Sequence, residues 1–292
     1  MKQLFTLGFF LFLFTFAAAQ DDLLSLVEED APEREPVTAT FKTNRVINFS
    51  STENTAAGVL DFKISHRFGF LNGGFYELFG LDNATIRLGL DYGITDRLMI
   101  GVGRSSYQKT YDGYFKYKIL RQSTGAKAMP VTLSVFAGSA IQTLKWPDPD
   151  RDNKFSSRLY YNFQVILGRK FSDGFSLQLS PTLVHRNLVA TRDEANDVFA
   201  LGIGGRIKLN RRVSINAEYA YIPDGQLAAE FKAPISLGFD IETGGHVFQL
   251  HFTNATSMIE NGFIGETIGN VLDGDIHFGF NISRVFTLAK PK

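Results

Sequence analysis

The sequence predicts an all-β fold: a transmembrane, antiparallel, up-and-down β-barrel of about twelve strands. Three observations predict it. From residue 57 onward, apolar and polar residues alternate with a period of two. Most connections between the alternating runs are short and long in turn. One face is apolar and rich in the chain's 28 Phe and 10 Tyr, while the other carries charge, Ser and many of the 27 Gly. Alternation of this kind sends successive side chains to opposite faces of a strand.

The first strand, near 57–68, sets Leu60, Phe62 and Ile64 against Asp61, Lys63, Ser65 and Arg67. RLGLDYGITDRLMIGVGRSS (87–106) reads as two strands and a turn, with Leu88, Leu90, Ile100 and Val102 opposed to Arg87, Asp91 and a row of glycines. Near 111–120, Phe115, Tyr117 and Ile119 oppose Tyr114, Lys116 and Lys118. Near 131–142, Val131, Leu133 and Val135 oppose Thr132, Ser134 and Gly138. The sixth run sets Leu159, Tyr161, Phe163, Val165 and Leu167 against Arg158, Asn162, Gln164 and Gly168. Similar runs begin at Phe175, Phe199, Val213, Ile235, Phe248 and Ile276. They place Arg206, Lys208, Glu218, Asp240 and Glu242 on the polar face. Runs of roughly 9–12 residues suffice to cross a bilayer as tilted strands.

ITDR (94–97), FSDG (171–174), LNRR (209–212) and ETGG (242–245) are tight turns. Longer loops fall near 69–83, 145–156, 187–196, 222–233 and 255–273. Two connections break the pattern: 107–110 is short, and 121–130 is long where a turn is expected. An even strand number with short turns on one side is the pattern of outer-membrane barrels, which puts both mature termini in the periplasm. A soluble barrel would turn the oily face inward, but about twelve strands enclose too wide a lumen for a simple packed core. The apolar face is therefore expected to meet lipid. Phe286 ends the last strand on that face, as in the assembly signal of outer-membrane barrels, although the tail TLAKPK follows it.

The chain opens MKQLFTLGFFLFLFTFAAAQ. A positive n-region, an apolar core and a small-residue cleavage site make residues 1–19 a secretory signal. Residues 20–56 are then a periplasmic extension or a plug, and 57–292 the barrel. Within the extension, 20–36 is acidic and 37–56 is mixed and polar. Cys is absent, which excludes disulfides, thiolate metal sites and lipidation at Cys. Thirty basic and thirty acidic residues cancel, so nothing in the charge favours nucleic acid.

The runs DFKISHRFG (61–69), RLGLDYGITDRLMIGVGRSS (87–106) and TYDGYFKYKILRQ (110–122) resemble the opening of a family of Gram-negative outer-membrane β-barrels classed as a domain of unknown function. The resemblance covers most of the mature chain. It implies fold and location, and supplies no catalytic or binding residues.

Motifs for chemistry are weak. GVGRSS (101–106) and GIGGR (202–206) do not lie between a strand and a helix, as a phosphate loop would. Asp148, Asp150 and Asp152 alternate as in a calcium loop, but Asn153 and Leu159 stand where that loop needs Gly and Glu. His251 and His277 share the polar face of neighbouring strands, where hydrogen bonding in the lumen or a metal are alternatives. Ser65 and His66 are adjacent in a strand, so they point to opposite faces and cannot be nucleophile and base. No catalytic, cofactor-binding or metal-ligating residue is assigned, and no cofactor is expected.

The candidate lumen-lining residues are Arg87, Asp91, Lys116, Lys118, Arg158, Arg206, Lys208, Glu218, Asp240 and Glu242. Basic residues on strands four to eight and acidic residues on nine and ten imply either a transverse field across a pore or a salt-bridged interior. The leading expectation is a passive, porin-like channel for small polar solutes or ions. The alternatives are a non-conducting structural or assembly-linked barrel, and a membrane-embedded hydrolase. Expected partners are outer-membrane lipid and, during insertion, the barrel-assembly machinery.

Overall fold

The computed structural model describes residues 33–289, apart from residue 193. The expected signal sequence, residues 1–19, and residues 20–32 of the expected extension lie outside the described residues.

Twelve strands close into one antiparallel barrel in which each strand pairs with its neighbours in sequence. They are β1 (Val59–Phe70), β2 (Ala84–Gly93), β3 (Leu98–Ser105), β4 (Thr110–Leu120), β5 (Thr132–Gln142) and β6 (Leu159–Lys170). The ring continues with β7 (Phe175–Arg186), β8 (Asp197–Lys208), β9 (Val213–Tyr221), β10 (Ile235–Thr243), β11 (His246–Thr253) and β12 (His277–Thr287). β12 returns to β1 in a register that sets Ile282 opposite Ile64, with one irregularity between His277 and Gly279. Closure satisfies every strand edge, which a sheet in hydrocarbon requires because no water is there to pair a free N–H or C=O. No helix among the described residues is long and apolar enough to cross a membrane. Crossing falls to the strands.

Burial follows the alternation. In β8 every second residue is buried from Val198 to Arg206, and β7 alternates likewise. The exposed partners form an outer apolar band that includes Leu88, Leu90, Ile100, Val102, Phe115, Phe163, Phe199, Leu237 and Phe239. Such a band is stable only against lipid. The buried set is mostly Ser, Thr, Asn, Gln and charged residues. Inward-facing apolar residues break that polarity in two places: Met99, Tyr114, Phe136 and Ile166 form one cluster, and Val184, Val198, Ala200 and Ala220 belong to another.

The tight turns lie at one end of the ring, here termed the turn end. Gly244 and Gly245 both have positive φ, as the two-residue turn between Thr243 and His246 requires. In the turn 209–212, Asn210 Oδ1 accepts from the backbone N–H of Arg212 and Val213 at 2.8 and 2.9 Å. The two irregular connections have separate explanations. Residues 107–109 form a single 3₁₀ turn at the loop end. The long connection at 121–131 holds Ser123–Thr124, which pair with Glu35–Pro36 and tie the N-terminal segment to the turn end.

Residues expected to lie in an external loop behave differently. Within 254–276, a short helix, α1 (Glu260–Gly265), is buried along its whole length. The loop folds into the mouth of the barrel and packs on β6 and β7.

The lipid-facing assignment predicts a depth-dependent cost for charge. Leu88→Arg, mid-strand on the outer face, should destabilise the barrel by about 2–4 kcal/mol, and Leu209→Arg, in a turn, by about 0–1 kcal/mol. Urea unfolding in lipid vesicles measures both.

Candidate functional site

Residues 37–56 lie inside the ring. Phe41, Val46, Ile47 and Phe49 are nearly inaccessible, as are Thr43, Asn44, Arg45, Asn48, Ser50 and Ser51. The segment rises from the turn end, reverses, and descends to Ala56, where Gly58 N–H bonds Gly93 O and leads into β1. Its upper part is a small hairpin. Arg45 and Ser50 form an antiparallel bridge, Val46 N–H donates to Phe49 O at 2.8 Å, and Ser51 N–H donates to Asn44 O at 2.9 Å.

A two-stranded hairpin alone is marginal in water, and its outward backbone groups need partners once buried. The barrel wall supplies them. At the tip, the Glu218 carboxylate accepts from three consecutive amides: Ile47 (3.1 Å), Asn48 (2.8 Å) and Phe49 (3.1 Å). Lys116 Nζ donates to the carbonyls of Asn44, Ser51 and Glu53 at 3.4, 2.9 and 2.5 Å. Arg206 Nη1 reaches Ala39 O and Thr40 O. Gln178 Nε2 donates to Ser50 O at 2.7 Å, and Gln249 Nε2 to Val46 O at 2.9 Å. From the closing strands, Asn281 Nδ2 donates to Ile47 O at 3.2 Å and Arg67 Nη2 to Asn48 Oδ1 at 2.7 Å.

Wall glycines make the seat. A Cβ at Gly202 would stand 2.7 Å from the Phe49 ring, one at Gly204 3.1 Å from Val46, and one at Gly168 2.5 Å from Thr52. Gly202 and Gly204 of GIGGR are therefore steric clearances for the hairpin, whereas Gly205 faces outward beside Leu177. The glycines of GVGRSS clear space for wall side chains: a Cβ at Gly103 would meet Arg87 and one at Gly101 would meet Asp91 and Tyr114.

From the loop end, α1 meets the tip. Phe263 packs edge-on against Phe49 with centroids 4.9 Å apart. Arg45 pairs with Glu260. Between Arg45, Ile47 and the inner wall near Lys63, Arg67 and Arg87, the residual space is 10 Å³, on the scale of one water. A vestibule of 470 Å³ opens at the turn end beside Lys42, Glu53 and Glu242.

The sequence-derived candidates divide accordingly. Lys116, Arg206 and Glu218 grip the hairpin backbone, as above. Asp91 accepts from Lys63 at 2.9 Å and from Asn44 Nδ2 at 3.0 Å. Arg87 pairs with Asp112, with Nε 2.9 Å from Oδ1. Asp240 accepts from Gln249 at 2.8 Å. Lys118 is buried in β4 toward the turn end. Lys208 is half-buried at the same end, and Glu242 pairs with Lys42 of the extension. Arg158 departs from expectation. It lies in the 3₁₀ turn before β6, off the wall. It stacks 4.0 Å over Trp146 and donates to Gln142 O and Leu144 O. The arginine is drawn to loop carbonyls and an indole face, so the polar phase of the sixth run begins with Tyr160. The basic and acidic walls do not face each other across open water, because the hairpin lies between them.

The other motifs are also placed. Asp148, Asp150 and Asp152 are exposed, and Asp148 Oδ1 accepts from Asp150 N–H. No group of three metal-ligating side chains occurs among the described residues. His277 bonds Thr256 Oγ1 and Phe68 O. Ser65 is buried inside, whereas His66 stacks on Phe280 at 5.0 Å on the outer face.

Residues 41–286 match the model of a family described as a membrane-bound beta barrel domain, DUF5777. The matched region begins inside the hairpin segment, so residues 41–56 and nearly all of the ring fall within one family domain. No curated protein matches the chain. Similar solved structures include the NanC porin, at 8% identity and TM-score 0.49 over 78% of this chain and 98% of that one. Omp33 of Acinetobacter baumannii is 9% identical, with TM-score 0.42 over 78% and 97%. An outer membrane channel of Pseudomonas putida F1 is 13% identical, with TM-score 0.42 over 80% and 98%. On the extent of the family match, the chain belongs to the DUF5777 family of membrane-bound β-barrel domains.

Proposed function

We propose that this chain is a porin-like outer-membrane barrel, shut at rest by its own residues 37–56, and that small polar solutes or ions pass when the hairpin is displaced toward the turn end. One observation carries the reading: along most of its length the hairpin is held by polar wall side chains on its backbone, while dry apolar packing is concentrated at the tip, where Phe49 meets Val184, Val198, Ala200, Ala220 and Phe263. Lys116, Gln178, Arg206, Glu218, Gln249 and Asn281 can exchange every one of those bonds for water. Ser180, Thr182, Ser214, Asn216 and Ser236 complete a water-compatible lining. A plug meant only to fill space needs none of this, since apolar packing would hold it more cheaply.

On this reading Arg87, Asp91, Lys116, Lys118, Arg206, Lys208, Glu218, Asp240 and Glu242 line the emptied pathway, and Arg158 belongs to its rim. Residues 1–19 direct export, both mature termini are periplasmic, and the assembly machinery inserts the barrel. The reading is non-enzymatic, in keeping with Ser65 and His66 on opposite faces. A second reading, a non-conducting structural barrel, is favoured by the contact of α1 with the tip, which seals the lumen from both sides.

Planar bilayers separate the two readings. The full chain should give a quiet baseline, and a chain lacking residues 38–55 should give stepwise conductance. A folded deletion variant that stays silent would select the structural barrel.

The grip at Glu218 is testable separately. Glu218→Ala leaves three buried amides without an acceptor, at about 1–3 kcal/mol for each such group. A net loss of about 3 kcal/mol should speed hydrogen exchange at residues 46–50 by about 100-fold. Exchange in the barrel strands should stay as in the parent.

A further inference from the structure

At the loop end, away from the hairpin's polar grip, a second cavity of 340 Å³ opens between the mouth of the ring and the inward-folded loop. Its size is at the lower end of the range for small-molecule sites, about 300–1,000 Å³. Five separate parts of the chain converge on it. Tyr107 and Gln108 come from the 3₁₀ turn after β3, Tyr160 from the start of β6, Arg186 from the end of β7, Phe231 from the loop after β9, and Glu266 from the residue after α1.

We propose that this pocket binds a small, neutral, polyhydroxylated molecule with room for one pyranose ring. Such a molecule has C–H faces and a hydroxyl edge, and the pocket offers a match for each. The rings of Tyr107, Tyr160 and Phe231 provide apolar faces. Gln108, Arg186 and Glu266 provide donors and acceptors for hydroxyls. The polar groups are fixed beforehand. Arg186 Nη1 bonds Glu194 Oε2 at 2.9 Å and Nη2 bonds Ala195 O at 2.7 Å. Gln108 Nε2 bonds Glu266 Oε2 at 2.9 Å, and Glu266 Oε1 has no bond among the described residues.

The charge balance favours a neutral ligand. Glu194 neutralises Arg186. Burial pushes the Glu266 carboxyl up, against the pull of Gln108 and Arg186. Tyr107 stays a phenol, pushed up to about 12 by burial and then by Glu266. The backbone also bears a cost here. Gln108 and Lys109 are consecutive non-glycine residues with φ of 51° and 50°. Strain of this kind persists where the surroundings over-determine it, and it clusters at ligand sites. In this turn it holds Tyr107 and Gln108 over the cavity.

The test uses the full chain in detergent micelles and saturation-transfer NMR. The probes are D-glucose, D-galactose and N-acetyl-D-glucosamine, with D-glucosamine and D-glucuronate as charged comparators. At least one neutral sugar should receive saturation, and Glu266→Ala or Tyr107→Ala should weaken its binding about tenfold. Gln108→Ala, in a turn outside the strands, carries the same test if either variant fails to show the heat-modifiable migration of a folded barrel. No transfer to any neutral sugar overturns the proposal. So does transfer that all folded variants retain, or transfer confined to glucosamine or glucuronate.

Discussion

A carboxylate enclosed in a protein must find donors, and Glu218 finds three in a row at the tip of the hairpin. The arrangement is reciprocal, because those amides would otherwise be buried donors without acceptors. The seating of the hairpin rests on this exchange. It sets the height of the tip, and the tip height determines which wall residues can be bare of side chains. Gly202 and Gly204 lie where Phe49 and Val46 press. The same height presents Phe49 to Phe263 and so draws the last loop inward.

The interior is polar but not loosely so. Lys63, Asp61 and Asp91 form one linked group beside the hairpin, and Asn44 of the hairpin joins it through Asp91. Lys63 and Arg87 are thus paired with carboxylates of the wall, and Lys116 and Arg206 with hairpin carbonyls, as charge at membrane depth requires. The hairpin replaces solvent. It offers the wall the same mixture of donors and acceptors that water would, in a fixed pattern.

The ring was legible in the sequence because period two is a local signal. Leu159 to Leu167 or Phe199 to Ile207 declare a strand without reference to anything else. The hairpin was not, because nothing periodic marks it. Phe41, Val46, Ile47 and Phe49 are buried by the wall around them, and their spacing fits neither a strand nor a helix face. A signal did exist in the wall. Met99, Phe136 and Ile166 are apolar residues in the polar phase, and Gly168, Gly202 and Gly204 are bare positions in it. Together they imply something solid inside the ring. Arg158 was misplaced for the opposite reason: strand phase was extended one residue beyond the strand, where a turn and Trp146 decide the side chain's position. The loop-end cavity assembles from five distant segments, and no local pattern announces such a convergence.

The tip also touches the seam of the ring. Arg67 on β1 and Asn281 on β12 both bond it, at Asn48 and Ile47. These two strands are the first and last of the barrel, and their pairing is the step of longest sequence separation. Such a step bears the largest loop-closure entropy and tends to be slow. The hairpin, tethered a few residues before β1, bonds both edges and so spans the seam from inside the ring. The last pairing therefore does not rest on the β1–β12 ladder alone.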